Sequence, residues 1–197
     1  MAATDTSNTI VREALSLMGN NSPQVTGEAP TFDNSPAGVA AQNLYTPCVA
    51  AVMRSFEFDF ARTQETLTAS GNTGPFAMGF ALEYLYPPLA VEIWQINDPA
   101  NTDLNNPLPT NWVVGNTIVG AGLNAAQKKV IWTDIAAATG TFNNNPVPSV
   151  WDPLFKEAVV RRLASEFAMA LAGRPETEQN LLSSSAQAGA LAQTRDG

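Results

Sequence analysis

The sequence has no histidine. This removes the usual general base, the commonest metal ligand and every Ser–His or Cys–His nucleophilic pair. It has one cysteine, Cys48, so no disulfide forms within the chain, and folding is expected in a reducing compartment. No apolar run approaches the ~20 residues of a membrane-spanning helix. The opening MAATDTSNTI lacks the basic and hydrophobic stretches of a signal peptide, so none is expected. Positive charge is scarce: 10 lysines and arginines face 18 carboxylates, a net −8. Such a balance disfavours gripping nucleic-acid phosphates, but a surface that DNA slides past gains from weak repulsion.

What is present is amphipathic helix, alternating strand and long polar loops. The clearest element is Trp151–Gly173. Asp152 is placed to cap it, Pro153 suits the first helical position, and Gly173 with Pro175 ends it. At 100° per residue, Phe155, Val159, Val160, Leu163, Phe167, Ala170 and Leu171 share one half. Glu157, Arg161, Arg162 and Ser165 share the other, and Lys156 and Glu166 breach the apolar half. A first helix is expected over Asp5–Met18, capped by Asp5 or Ser7, and a second from Ser35–Pro36 to Phe56. Pro47 should kink that second helix or restart it. Residues 19–36 read as loop. In Phe76–Tyr86 large apolar residues occupy every second position, which predicts a strand. Further strands are predicted at Gln64–Thr68, Leu89–Ile96, Trp112–Val119 and Lys129–Ile135. Asp98–Asn111 and Thr139–Pro148 read as loops.

Candidate chemistry is thin. Glu57 and Asp59 form an acidic pair within SFEFDFAR, but their alternation with phenylalanines is what a half-buried strand produces. Asp98 and Asp103 lack calcium-loop spacing. Cys48 lies among small aliphatic residues and reads as an inert buried thiol. Lys128-Lys129 and Arg161-Arg162 are the basic pairs and read as solvated faces or contacts to acidic neighbours. Trp94, Trp112, Trp132 and Trp151 suit either a core or an interface. No constellation supports catalysis, so no catalytic residue, cofactor or metal is expected. The segment Glu176–Thr194 could form a helix, but one too weakly apolar to belong to a core unaided.

Four places in order carry a resemblance. They are the opening helix N-x-I-V-R-E-A-L-S-L-M-G, and Leu44-Tyr45-Thr46-Pro47 leading to Phe58-Asp59-Phe60-Ala61-Arg62. The strand and double proline ALEYLYPPLAVEIWQI follow, then Trp151-Asp152-Pro153-Leu154-Phe155 running into EAVVRRLASEFA. Together they resemble the head-to-tail adaptors, or tail tubular protein A, of short-tailed bacteriophages. The resemblance implies a non-enzymatic virion protein, made in the host cytoplasm and placed at the head–tail junction. It implies a dodecameric ring that links the portal protein to the tail nozzle protein, with DNA passing through the lumen unread and no membrane contact. Portal binding would fall to the last segment, at Gln179, Leu181, Leu182, Leu191 and Arg195. The expected fold class is α+β, mainly α: a helical bundle formed by both chain ends with a small inserted antiparallel β region. The expected parts are 1–62, a β insertion 63–138 with the loop 98–111, 139–173 and the arm 174–197. A tail-completion or stopper protein with another partner is one alternative. A small monomeric binding module, using the aromatic face 76–86, is the other.

Overall fold

The computed structural model describes residues 5–19, 24–56, 58–101, 110–119, 126–172 and 175–196, with side chains of the last helix described from 178 to 193. The described residues form two compact units, one from residues 1–61 with 145–197 and one from residues 62–144.

In the first unit, α1 (Ser7–Leu17) begins at Thr6. The Thr6 hydroxyl accepts from the Thr9 amide while the Thr9 hydroxyl accepts from the Thr6 amide, so the cap is one residue from either expected position. A short hairpin follows, β1 (Gly27–Glu28) and β2 (Thr31–Phe32), within the stretch read as loop. Ser35 caps α2 (Pro36–Ser55), accepting from the Gly38 amide. α2 runs unbroken through Pro47. Proline deprives the Asn43 carbonyl of its donor, but both residues lie on the exposed face, where water replaces the lost bond. Asp152 caps α3 (Pro153–Phe167) as expected, accepting from the Leu154 amide at 2.8 Å.

α3 is the central helix of this unit and packs against α1, α2 and the last helix, α4 (Pro175–Asp196). Its Phe155, Val159, Leu163 and Phe167 are fully buried, beside Ile10, Val11 and Leu15 of α1 and Val49 and Met53 of α2 among the core residues. Phe155 meets the rings of Phe58 and Trp151 edge-on, each at 4.9 Å between centroids. Two expectations for this helix fail. Ser165 is buried, its hydroxyl donating to the Arg162 carbonyl at 2.6 Å. Ala170 and Leu171 are exposed, because Ala168–Ala172 winds as a π-helical turn and the extra residue rotates them off the core stripe. The expected cap Gly173 lies outside the described residues.

The second unit holds two three-stranded antiparallel sheets. One has the order β3 (Arg62–Thr66), β8 (Thr139–Asn143), β5 (Glu92–Asn97). The other has the order β4 (Leu82–Leu85), β7 (Ala126–Thr133), β6 (Trp112–Val119). Leu67, Tyr84, Ile93, Ile96, Ile131, Ala138 and Phe142 make their common core. The predicted strand Phe76–Tyr86 is strand only over its second half. Residues 77–79 form a tight turn with Met78 at φ 60°, so the alternation of Phe76, Met78 and Phe80 reflects no sheet face. β8, inside the stretch read as loop, is the middle strand of its sheet.

The expected fold class is therefore corrected. Among the described residues there are four helices and eight strands in three sheets, 46% helical and 25% strand, a mixed architecture in place of a helical bundle with a small β insertion. The strands that went unread are the β1–β2 hairpin and β8, which carry few apolar residues.

Candidate interaction surface

The residues singled out for partner binding lie on α4, whose inner stripe explains how the helix is held. Ser185, Ala188, Gly189 and Ala192, at helical spacing, are buried. The Ser185 hydroxyl donates to the Ala158 carbonyl of α3 at 2.8 Å. A Cβ at Gly189 would stand 2.6 Å from the Phe56 ring. Close approach through small residues thus substitutes for a bulky apolar stripe. α4 is docked within this chain, which revises the expectation of an arm too weakly apolar to join a core.

The expected residues differ in exposure. Gln179 is exposed, Leu181 half-buried, Leu182 37% exposed and Leu191 59% exposed. The side chain of Arg195 lies outside the described residues. Leu182 and Leu191 stand nine positions apart, which is half a turn out of phase and about 13.5 Å along the axis, so they do not converge on one spot. Leu182 opens onto a hollow of about 260 Å³ bounded by Val52 and Phe56 of the α2 end, Arg162 of α3 and Ser185.

A larger open groove of about 920 Å³ runs between α1 and α3. Leu17, Trp151 and Val160 supply apolar wall, and Asp5, Arg12, Glu13, Lys156, Glu157 and Arg161 give it charge. Lys156 bonds Asp5 and Glu13, each at 2.8 Å. Burial works against the ammonium, but the two carboxylates outweigh it and raise the Lys156 pKa above the ordinary value. Arg161 pairs with Glu157 and Arg162 with Glu166 one turn apart on α3. The sequence signal for this groove was Lys156 interrupting the apolar half of α3. Its acidic partners, Asp5 ahead of α1 and Glu13 on it, leave no such mark.

Compared with known proteins, the chain matches no family model and no curated relative.

The remaining candidates do not assemble. Glu57 lies outside the described residues, and Asp59 is exposed on a single 3₁₀ turn, Asp59–Ala61, where a half-buried strand was expected. Asp103 also lies outside the described residues. Asp98 spends its carboxylate on the Ala100 amide at 2.8 Å. Cys48 is buried on α2, and that burial, with Glu166 nearby, pushes its thiol up to about 12. Among the described residues no three His, Cys, Asp or Glu side chains gather as a metal site would require, and no helix is long and apolar enough to cross a membrane. Trp151 is buried, while Trp94, Trp112 and Trp132 are half-buried.

Sequence reasoning missed one buried polar centre. Glu83 of β4 is 4% exposed and accepts from Trp132 Nε1 at 2.6 Å and Asn72 Nδ2 at 2.7 Å. Burial pushes its carboxyl up, but donors from Ser70, Trp132, Asn72 and Thr117 outweigh that and hold its pKa below the ordinary value. With every donor aimed at the ionised form, this carboxylate ties the 70–72 loop to the sheet and is not poised to exchange a proton. Of the aromatic stretch 76–86, Phe80 and Tyr84 are buried, and Tyr84 donates to the Ile135 carbonyl at 2.9 Å.

Proposed function

We propose that this protein is a head-to-tail adaptor of a short-tailed bacteriophage, a ring-forming subunit that joins the portal to the tail nozzle. Four sequence features in order over nearly the whole chain support this reading. One structural observation carries it further: α4 is a helix of 22 residues that gives α3 only its small-residue stripe. Away from that stripe Gln179 is exposed, and Leu182 and Leu191 remain accessible on opposite flanks of the helix. A helix accessible along both flanks suits a helix-in-groove contact with another protein. The acidic balance suits a channel that DNA passes without being held.

A ring subunit also needs two unlike lateral faces that close by rotation. The α1–α3 groove and the outer side of α4 are two such surfaces on the helical unit. The test is negative-stain imaging of the matching portal ring, alone and mixed with this protein. A collar at the narrow end of the portal is expected. Leu182→Asp and Leu191→Asp, both at exposed positions, should each reduce collar formation while leaving the circular dichroism spectrum unchanged. Bare portals beside the wild-type protein would overturn the reading and favour a tail-side partner.

A further inference from the structure

The sheet β4-β7-β6 treats its two edges differently. The outer edge of β4 is closed by the chain itself. Leu85 N donates to Thr68 O at 2.8 Å, Ser70 N donates to Glu83 O at 3.0 Å, and Ala69 bridges Tyr84. On the far side of β6 no strand lies among the described residues. The Ile118 carbonyl accepts from the Asn72 side-chain amide at 3.2 Å, a single loop contact on this strand. Exposed edge strands are ordinarily protected by being short, bulged, charged or interrupted by proline. β6 has none of these protections. It runs eight residues as WVVGNTIV, without proline or charge, in unbroken register with β7.

The exposed side chains on β6 select the partner. Val114, Asn116 and Ile118 share one face and are exposed, Val114 at 37% and Ile118 at 65%. Val114 and Ile118 stand two residues either side of Asn116. In an antiparallel pair of identical strands centred on Asn116, Val114 of each copy lies opposite Ile118 of the other. Asn116 then meets Asn116 on the two-fold axis. The even spacing keeps like faces together, as strand pairing demands, and the contact is isologous. Electrostatics allow it as well. β6 and β7 carry Lys128 and Lys129 and no carboxylate, so two chains of net −8 meet where their acidic charge is absent. The lysines of the two copies are three strand spacings apart, about 14 Å, beyond the ~8–10 Å screening length.

We propose that β6 is a self-association edge: a second copy of this chain adds its own β6 antiparallel, centred on Asn116, to make one continuous six-stranded sheet. A two-fold contact of this kind does not build a cyclic ring. It therefore belongs to the free protein and stands whether or not the portal collar forms.

Sedimentation velocity of the full chain over about a hundredfold range of concentration tests it, since self-association responds to mass action. The wild type should move from monomer to dimer. Val114→Lys and Ile118→Lys, both at exposed positions, should weaken dimerisation roughly tenfold or more with unchanged thermal unfolding. In a Cys48→Ala background, Asn116→Cys should oxidise to a covalent dimer, while Ser55→Cys, exposed on α2, should not. A wild type that stays monomeric throughout, or dimers that persist in both lysine variants, would overturn the proposal. So would failure of the Asn116→Cys protein to cross-link while the wild type dimerises.

Discussion

At the scale of single residues, the buried carboxylate of Glu83 has the clearest consequence. Its pKa is depressed in the folded chain because its donors all address the ionised form. In the unfolded chain it returns to the ordinary value. A depressed carboxylate contributes stability above its unfolded pKa and loses that contribution as pH falls through the folded one. Glu83→Gln keeps the shape but turns an amide N–H₂ towards Trp132 Nε1 or Asn72 Nδ2, donor against donor. It should cost about 1.5–3 kcal/mol near neutral pH, the worth of hydrogen bonds to a charged group. The cost should shrink as the wild type is acidified below about pH 4, where carboxylates protonate. Thermal melts of both proteins across that range check this, and a constant difference at every pH would show that the charge plays no part. In the sequence this glutamate stood as the polar position of an alternating strand. The donors that bury it come from residues 70, 72, 117 and 132, far apart along the chain, which is why its role was not legible.

At the scale of elements, what was legible is what local physics decides. The Asp152 cap, the start of α2 at Ser35–Pro36, the Pro153 start of α3 and the whole of β6 follow from side chains acting on neighbouring backbone. What was not legible depends on distant neighbours. β8 reads TGTFN, poor in apolar residues, because its neighbours fill the space: Leu67, just after β3, and Ile96 of β5 close over Gly140. The mispredicted exposure of Ala170 and Leu171 arose from a π turn that no local propensity announces. α4 was underrated for a related reason, since its stripe of Ser185, Ala188, Gly189 and Ala192 gains from close approach and not from bulk. Gly189→Leu tests that account directly. The new side chain meets the Phe56 ring, so α4 must lift from the end of α2. Overpacking of this kind costs typically about 1–3 kcal/mol. Chemical denaturation should register it, and Ala190→Leu, one position along on the exposed side, should be near neutral. Equal effects of the two changes would mean that α4 has no fixed face.

At the scale of the whole chain, the register of β3 on β8 brings the two ends of the β unit together. Arg62, the first residue of the β unit, pairs with Asn143, next to its last residue, Asn144. Paired residues of an antiparallel ladder lie only about 4.5–5.5 Å apart between Cα atoms. The two crossings of the boundary are therefore neighbours, and residues 62–144 start and finish at one place. The unit also has its own core, from Leu67 to Phe142, and its own polar centre at Glu83. A fragment of residues 62–144 is accordingly expected to fold alone, with a strand-type circular dichroism spectrum and a cooperative melt. Carrying β6 with it, the fragment should also retain the concentration-dependent dimerisation proposed for that edge. The complementary chain, with 62–144 replaced by a short Gly/Ser link, should keep α1 to α4, because a link spanning one ladder pair adds little closure entropy. A fragment that stays unfolded while the linked helical chain also fails to fold would show that each unit depends on the other. The adjacency of Arg62 and Asn143 would then reflect strand pairing alone and not an autonomous unit.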